Sequence, residues 1–206
     1  MDKVIYIARH GETDFNKLKI VQGSGVDSSL NEKGRRQANA LYHAYHKIPF
    51  DLIITSALVR TQETAKGFID AGILHMKDGD IDEICWGIHE GKSDSPDMKQ
   101  DYVRLMNAWK NGDYNARIEE GESALELADR LSRALQNIKQ RTEKNILVLT
   151  HGRSIRCLMC LIEGRELKYM DSYQHNNTGV YKIIQKGDEF QMVTKNDIDH
   201  LKDLDS

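Results

Sequence analysis

The chain has 206 residues, a length that fits one α/β domain with a sizeable core. Its formal net charge is −3 and its basic residues are dispersed, which argues against nucleic acid as a partner but not against a small anionic ligand. No apolar run is long enough for a membrane span, no signal peptide is visible, and three cysteines do not suggest a disulfide framework, so we expect a cytoplasmic protein without a membrane partner.

The predicted elements alternate between short apolar strands and amphipathic helices. Strands are predicted at about 4–8, 51–55, 75–84, 145–150, 180–185 and 190–195. Helices are predicted at about 31–46, 59–71, 98–111, 123–141 and 154–163, the first with Asn31 as its N-cap. This order is typical of a single-domain, three-layer α/β/α sandwich with a mostly parallel central sheet, and the final hairpin predicts an antiparallel edge.

Helical periodicity is strongest at 123–141 and poorest at 85–121. The apolar face of the helix at 123–141 is predicted to consist of Leu125, Leu127, Ala128, Leu131, Ala134, Leu135 and Ile138. The segment 85–121 has one helical stretch between acidic and polar flanks. We interpret it as an excursion of the single domain, 1–206, that caps the ligand-binding edge of the sheet.

Three of the predicted strands end in residues that suit an anionic ligand. The first ends in Arg9 and His10, the second in Ser56 with Arg60 in the next helical turn, and the third in His151. Because parallel strands end at the same edge of a sheet, these side chains should meet in one crevice. The N-termini of the following helices should add free backbone N–H groups. The sequence therefore predicts a site for a dianion such as phosphate.

A metal site is the alternative interpretation of the two histidines. Zinc needs three or four nitrogen, sulfur or oxygen ligands. An arginine accompanies both His10 and His151, and its positive charge would repel a divalent cation. We therefore expect neither a metal ion nor another cofactor.

The ordered motifs of the chain resemble those of the histidine phosphatase superfamily, whose other well-known branch is the cofactor-dependent phosphoglycerate mutases. Each motif is short, but all of them occur in the same order over nearly the whole chain. They are Arg9-His10-Gly11-Glu12-Thr13 with Asn16, Gln22-Gly23 with Leu30 and Gly34, Thr55-Ser56 with Arg60-Thr61 and Thr64-Ala65, Glu83 with Gly87 and Glu90-Gly91, Gly121-Glu122-Ser123, and Thr150-His151-Gly152.

The resemblance implies a role for each matching residue. His10 would be the nucleophile that forms a phosphohistidine, and Glu83 would be the general acid and then the base that activates water. Glu83 is preferred to Glu90 because its spacing to the following glycines matches the family. The residues implied to bind the phosphoryl group, or to cover it, are Arg9, Asn16, Gln22, Gly23, Arg60, His151 and Gly152.

These observations predict a phosphomonoesterase that acts on a small phosphorylated metabolite without a metal ion. A phosphoglycerate mutase is the nearest alternative, but 85–121 is short and lacks the Arg-Arg pair of the mutases. A non-catalytic phosphate-binding module is a more remote alternative, because such a protein should have lost His10 or Glu83. The expected partner is a small phosphate ester.

Several other residues are not expected to belong to the core of the site. Cys157 and Cys160 lie in an apolar helix and are predicted to pack in the core rather than to bind metal. Trp86 is a candidate for the leaving-group pocket. The turn at 176–178 is expected near the rim of the site, outside its core, and no role is predicted for His175.

Overall fold

Six strands form one sheet in the computed structural model, which describes residues 2–93, 95–202 and 204. They are β1 (Lys3–Arg9), β2 (Leu52–Thr55), β3 (His75–Lys77), β4 (Asn145–Thr150), β5 (Val180–Lys186) and β6 (Glu189–Asp197). Their spatial order is β3-β2-β4-β1-β5-β6. The first four run parallel, and the hairpin β5–β6 adds an antiparallel edge. The predicted fold class is confirmed.

Six α-helices cover the sheet in the described part of the chain. They are α1 (Asp14–Leu18), α2 (Glu32–Tyr45), α3 (Val59–Asp70), α4 (Pro96–Lys110), α5 (Ala124–Gln140) and α6 (Gly152–Glu163). Short 3₁₀ turns lie at Gly79–Ile81, Gly87–His89, Leu167–Ser172 and Asp199–Leu201. None of the described helices is both long and apolar enough to cross a membrane.

The two faces of the sheet pack against different helices. On β1, Ile5 and Ile7 belong to a core cluster with residues of α4, α5 and α6. Tyr6 and Ala8 alternate with them and join a second cluster with residues of α2 and α3. This alternation follows from the two-residue period of a strand. Cys157 and Cys160 are buried in the first cluster, as predicted.

Two predicted elements need correction. The strand predicted at 75–84 ends at Lys77, because Asp78 accepts a hydrogen bond from the Asp80 N–H and starts a 3₁₀ turn. Leu125 does not belong to the buried face of α5, since it is 41% exposed. Ala124, one residue earlier, takes that place, and the other predicted face residues are buried as expected.

The segment 85–121 contains the turn Gly87–His89 and α4, while Asp94 lies outside the described residues. Ser95 caps α4 by accepting a hydrogen bond from the Met98 N–H, so the helix starts at Pro96, earlier than expected. Leu105 and Trp109 anchor α4 in the core beside α5 and α6.

A close backbone contact joins the loop after β1 to the start of α2. A Cβ atom added to Gly11 would lie 2.6 Å from the carbonyl oxygen of Gly34, and one added to Gly34 would lie 2.0 Å from that of Glu12. Real Cβ atoms do not approach backbone oxygens this closely, so both positions require glycine. The contact fixes Gly11, the residue that follows His10, against the start of α2.

Candidate active site

The ends of β1 and β4 bring the two predicted site histidines together. Arg9 and Thr150 are register partners, and the His10 N–H donates to the Thr150 carbonyl across 3.0 Å. His10 and His151 therefore leave adjacent strands at the same level, and their ring centroids lie 5.2 Å apart. The expected convergence at one edge of the sheet is present.

His10 is held as a neutral imidazole with a defined tautomer. Its side chain is buried, and burial, followed by the charges of Arg9 and Arg60, lowers its pKa well below the ordinary 6.5. Nδ1 donates a 2.7 Å hydrogen bond to the Gly11 carbonyl, because a carbonyl can only accept. The lone pair of a neutral ring then resides on Nε2, which is the nitrogen able to attack an electrophile.

Arg9 presents an unpartnered donor in the site. Its Nη1 donates to Nδ1 and to the carbonyl oxygen of His175, at 3.2 and 3.0 Å. Its buried Nε has no acceptor among the described residues. Burial lowers the pKa of Arg9 to about 10, against the opposing charge of Glu83, so the group stays cationic at neutral pH. A buried unpaired N–H is costly, and an anionic oxygen would satisfy it.

Arg60 enters the site from the first turn of α3 and is completely buried. Its Nη1 and Nη2 donate to the carbonyl oxygens of Val26 and Gly23 at 2.7 and 3.2 Å, and its Nε donates to Nδ1 of His151 at 3.2 Å. Three of the five guanidinium N–H groups are thus engaged with described residues, which leaves two for a ligand.

His151 is fixed by partners on both ring nitrogens. Because Nδ1 accepts from Arg60, Nε2 carries the proton and donates to Oγ of Ser56 at 2.8 Å. Burial, followed by the charge of Arg60, lowers its pKa well below 6.5, so this ring is also neutral. Ser56, at the end of β2, therefore orients the second histidine.

Glu83 occupies the N-terminus of α6. Its Oε1 accepts from the backbone N–H groups of Ile84 and Ser154, at 3.0 and 3.1 Å. Oγ of Ser154 lies 3.3 Å from Oε1 but donates its proton to the Asp82 carbonyl at 2.6 Å. Oε2 of Glu83 accepts from the Arg153 N–H at 3.1 Å. These donors fix the orientation of the Glu83 carboxyl group at the start of α6.

The expectation of free N–H groups at the helix N-termini is wrong for three of these groups. At α6 the N–H groups of Arg153 and Ser154 bind Glu83. At α3 the Val59 N–H donates to Asp27 across 2.7 Å. Side-chain carboxylates bind these three N–H groups, so they are not available to a ligand, whereas the arginine side chains bring positive charge to the site.

Arg130 of α5 braces the loop that carries Glu83, a role not predicted from the sequence. Its guanidinium donates to the carbonyl oxygens of Asp80, Asp82 and Glu83 at 2.9, 2.8 and 3.0 Å. It also forms an ion pair with Glu122 at 2.7 Å. The loop is thereby tied to a helix of the core.

Two of the loop residues predicted to contact phosphate, Asn16 and Gln22, are bound to Thr13 in the loop after His10. Asn16 uses Oδ1 to accept from the Thr13 N–H at 3.3 Å, so its amide NH₂ is the group able to donate. Gln22 is tied to the same threonine, with Nε2 donating to Oγ1 across 2.8 Å. Gly23 is buried and accepts from Arg60, while the backbone of Gly152 begins α6 next to His175.

Two residues near the site were missed or underrated. Asn177 donates from Nδ2 to the His10 carbonyl at 2.9 Å and to Oδ1 of Asn16 at 3.4 Å. His175 accepts from Arg9, and burial, followed by the charge of Arg9, lowers its pKa to about 3. The turn that holds His175 precedes β5, which pairs with β1, and this is the signal that could have placed it here.

No three histidine, cysteine, aspartate or glutamate side chains among the described residues are placed to hold a metal ion. The polar groups of the site are instead two arginines, two neutral histidines and one carboxyl group. This set can bind a phosphoryl group, attack it through an imidazole and exchange a proton with a leaving oxygen.

Comparisons with known proteins agree with this chemistry. The model of the histidine phosphatase superfamily (branch 1) matches residues 5–198. The "Putative phosphoserine phosphatase 2" of Hydrogenobacter thermophilus is 27% identical over 203 residues, 98% of this chain and 99% of that protein. The "Probable phosphoglycerate mutase GpmB" of Yersinia pestis is 34% identical over 165 residues, 78% of this chain and 74% of that protein. The structure of Bacillus stearothermophilus YhfR has a TM-score of 0.86 and 27% identity, and the match covers 97% of this chain and 99% of that one.

Proposed function

Since the chain belongs to branch 1 of the histidine phosphatase superfamily and is a phosphomonoester-hydrolysing enzyme, we propose that it acts on a small phosphorylated metabolite through a phosphohistidine at His10, without a metal ion. One observation carries the proposal. The neutral His10 ring has its Nδ1 proton bound to the Gly11 carbonyl, which leaves Nε2 as a nucleophile beside the unpartnered Nε–H of Arg9.

In the first step, Nε2 of His10 attacks phosphorus and the bond to the ester oxygen breaks. The Nε–H of Arg9, the two remaining N–H groups of Arg60 and the amide of Asn16 would bind the equatorial oxygens. Phosphoryl transfer depends mainly on such positioning and charge stabilisation, so no metal is required for it. His151 and Ser56 hold Arg60 in place.

Glu83 would protonate the leaving alcohol in this step. Among the described residues, Oε1 accepts two backbone hydrogen bonds and Oε2 accepts one, so Oε2 is the oxygen with more room for a proton. In the second step, Glu83 takes a proton from water, the water oxygen attacks phosphorus, and His10 leaves with phosphate formed.

A phosphoglycerate mutase is the second candidate, favoured by the 34% identity to the Yersinia pestis protein. Two arginines of the segment 85–121 argue against a carboxylate clamp there. Arg104 forms an ion pair with Asp101, and Arg117 forms one with Glu126 at 2.8 Å. Both guanidinium groups are already neutralised by carboxylates of this chain. We therefore favour the phosphatase.

Phosphate release from a panel of phosphomonoesters, measured without added metal, tests the proposal. Hydrolysis of at least one small ester, with phosphate and the free alcohol in equal amounts, is expected. Conversion of one phosphoglycerate isomer into the other without phosphate release, followed by ³¹P NMR, would instead identify a mutase. Three free cysteines suit a reducing compartment, and a cytoplasmic location is part of the proposal.

A further inference from the structure

A cavity of about 570 Å³ lies beside the candidate active site. Most of its wall is apolar and is formed by Val21, Trp86, Met98, Tyr102, Val103 and Ile118. Building on the proposed function, we propose that this cavity binds the leaving group of the substrate, and that this group carries a planar apolar ring. The substrate is then a phosphomonoester of a ring-bearing alcohol.

Two lining residues of the cavity, Trp86 and Gln22, are linked to the candidate active site through their contacts. The Trp86 ring lies 5.8 Å from the guanidinium carbon of Arg153, whose backbone N–H donates to Oε2 of Glu83. Gln22 also lines the cavity and is hydrogen-bonded to Thr13 in the loop after His10. A group attached to the ester oxygen near Oε2 would therefore extend along Trp86.

The aromatic wall is already arranged before any ligand binds. The Trp86 ring stacks against Trp109 with centroids 6.4 Å apart, and it tilts against Tyr102 at 5.9 Å. The Tyr102 hydroxyl accepts from Arg153 at 2.8 Å. Rings fixed in this way lose little conformational freedom when they bind a flat ligand.

Apolar surface at the mouth of the cavity supports the same conclusion. Tyr102 and Val103, on the outer face of α4, are 42% and 57% exposed. A ring seated between them and Trp86 would remove apolar area from water, which stabilises the complex roughly in proportion to that area.

Aromatic walls can bind either a neutral ring or an ammonium group. The charges of the side chains that line this cavity favour the neutral ring. Lys19 and Lys99 contribute to the lining, and none of the described lining residues is acidic. The nearby Asp101 is paired with His89, at 3.2 Å, and with Arg104. An ammonium-bearing ester such as O-phosphoserine would meet no acidic side chain in the lining of the cavity, so we expect it to be a poor substrate.

Two esters of primary alcohols test the proposal: 2-phenylethyl phosphate and O-phosphoserine. We expect kcat/KM to be at least about tenfold higher for the phenylethyl ester. Trp86→Ala should lower kcat/KM for 2-phenylethyl phosphate by about 10- to 100-fold. It should lower kcat/KM for glycerol phosphate, which carries no ring, by less than about threefold. An equal loss for both esters would mean that Trp86 only positions Arg153 and Glu83, and would overturn the proposal.

Val103 and Val193 provide a matched pair of variants. Both valines are about half exposed, but Val103 lines the cavity and Val193 lies on the edge strand β6. Val103→Ser should weaken turnover of the phenylethyl ester severalfold, whereas Val193→Ser should not change it. Equal effects of the two substitutions would contradict a ring-binding cavity.

Binding of 2-phenylethylphosphonate, which cannot be hydrolysed, separates this proposal from the proposed function. Calorimetry should show Trp86→Ala weakening its affinity about tenfold or more while leaving that for inorganic phosphate unchanged. Tight phosphonate binding without hydrolysis of any ester would overturn the proposed function alone. Hydrolysis with O-phosphoserine as the best substrate would overturn the ring proposal alone.

Discussion

Nε of Arg60 donates a hydrogen bond to Nδ1 of His151 across 3.2 Å, and both side chains are completely buried. The bond joins the helix after β2 to the end of β4 and determines which nitrogen of His151 carries a proton. Through that proton the ring is tied to Ser56. The two residues thus form one unit, and replacing either should affect the other.

Arg60→Lys should therefore reduce activity even though the positive charge is kept. An ammonium group cannot reproduce the fork that contacts His151 and two loop carbonyls while retaining donors for a phosphoryl group. We expect kcat/KM to fall by about 10²–10³, the usual effect of losing one donor to a developing charge. Arg36→Lys, on the exposed side of α2, is the control and should have no effect. Normal activity in Arg60→Lys would exclude the clamp.

His10→Ala should remove both turnover and the covalent intermediate while the protein still folds, because the side chain lies at a strand end rather than in either core cluster. Intact-mass spectrometry after quenching without acid should show a phosphate adduct in the wild type and none in the variant. Thermal unfolding would verify the fold. If the variant still forms an adduct, the nucleophile is another residue, and His151 would be tested first.

The effect of Glu83→Gln on the rate of His10 phosphorylation should depend on the leaving group of the substrate. An alkoxide needs a proton to leave, whereas p-nitrophenolate leaves without one. Phosphorylation of His10 by an alkyl phosphate should slow by about 10²–10⁴, and phosphorylation by p-nitrophenyl phosphate should slow much less. Single-turnover measurements separate this step from dephosphorylation, in which Glu83 is the proposed base. Equal losses with both substrates would assign Glu83 a structural role and make Glu90 the candidate acid.

The free energy of unfolding should fall as the pH drops below about 6.5. Burial, then nearby arginine charge, lowers the pKa of His10 and His151 well below 6.5, so both stay neutral in the fold. In the unfolded chain they regain ordinary pKa values and bind protons, which favours unfolding. Between about pH 7.5 and 5.5, protonation of these two histidines in the unfolded chain lowers the free energy of unfolding by about 3 kcal/mol. His175, whose pKa is also lowered, adds to this decrease. Urea unfolding at both pH values measures the decrease. His10→Ala should remove about half of the part that is due to His10 and His151.

Exhaustive chelation should leave activity unchanged, because the proposed charge stabilisation comes from Arg9 and Arg60. Vanadate should inhibit, since its trigonal-bipyramidal complexes match the geometry of phosphoryl transfer. Initial rates with and without EDTA, followed by vanadate titration, provide the measurement. Loss of activity in EDTA that a divalent ion restores would disprove the metal-free mechanism.

The central part of the site was predictable because it depends on strand ends. β1, β2 and β4 are parallel neighbours, so the residues that follow them, including His10 and His151, had to meet once the sheet was recognised. The apolar runs and helix caps that define these elements are local signals. They are visible in a single sequence.

The remaining parts depend on contacts between distant segments. His175 and Asn177 reach the site because the Thr178 N–H binds the Arg9 carbonyl just before β5 pairs with β1. Arg130 lies 47 positions from Glu83 and has the polarity expected of a solvent-facing helix residue. The short α1 buries no side chain and is defined by a capping box at Thr13, so it has no apolar periodicity to detect.

The back-to-back contact of Gly11 and Gly34 restricts any laboratory evolution of this enzyme. A methyl group at either position would push on backbone rather than on a movable side chain, and the displacement would pass directly to the neighbour of His10. No compensating change of a nearby side chain can create that space. Mutant libraries aimed at new substrates should therefore leave both codons unchanged and place their diversity in the wall of the apolar cavity.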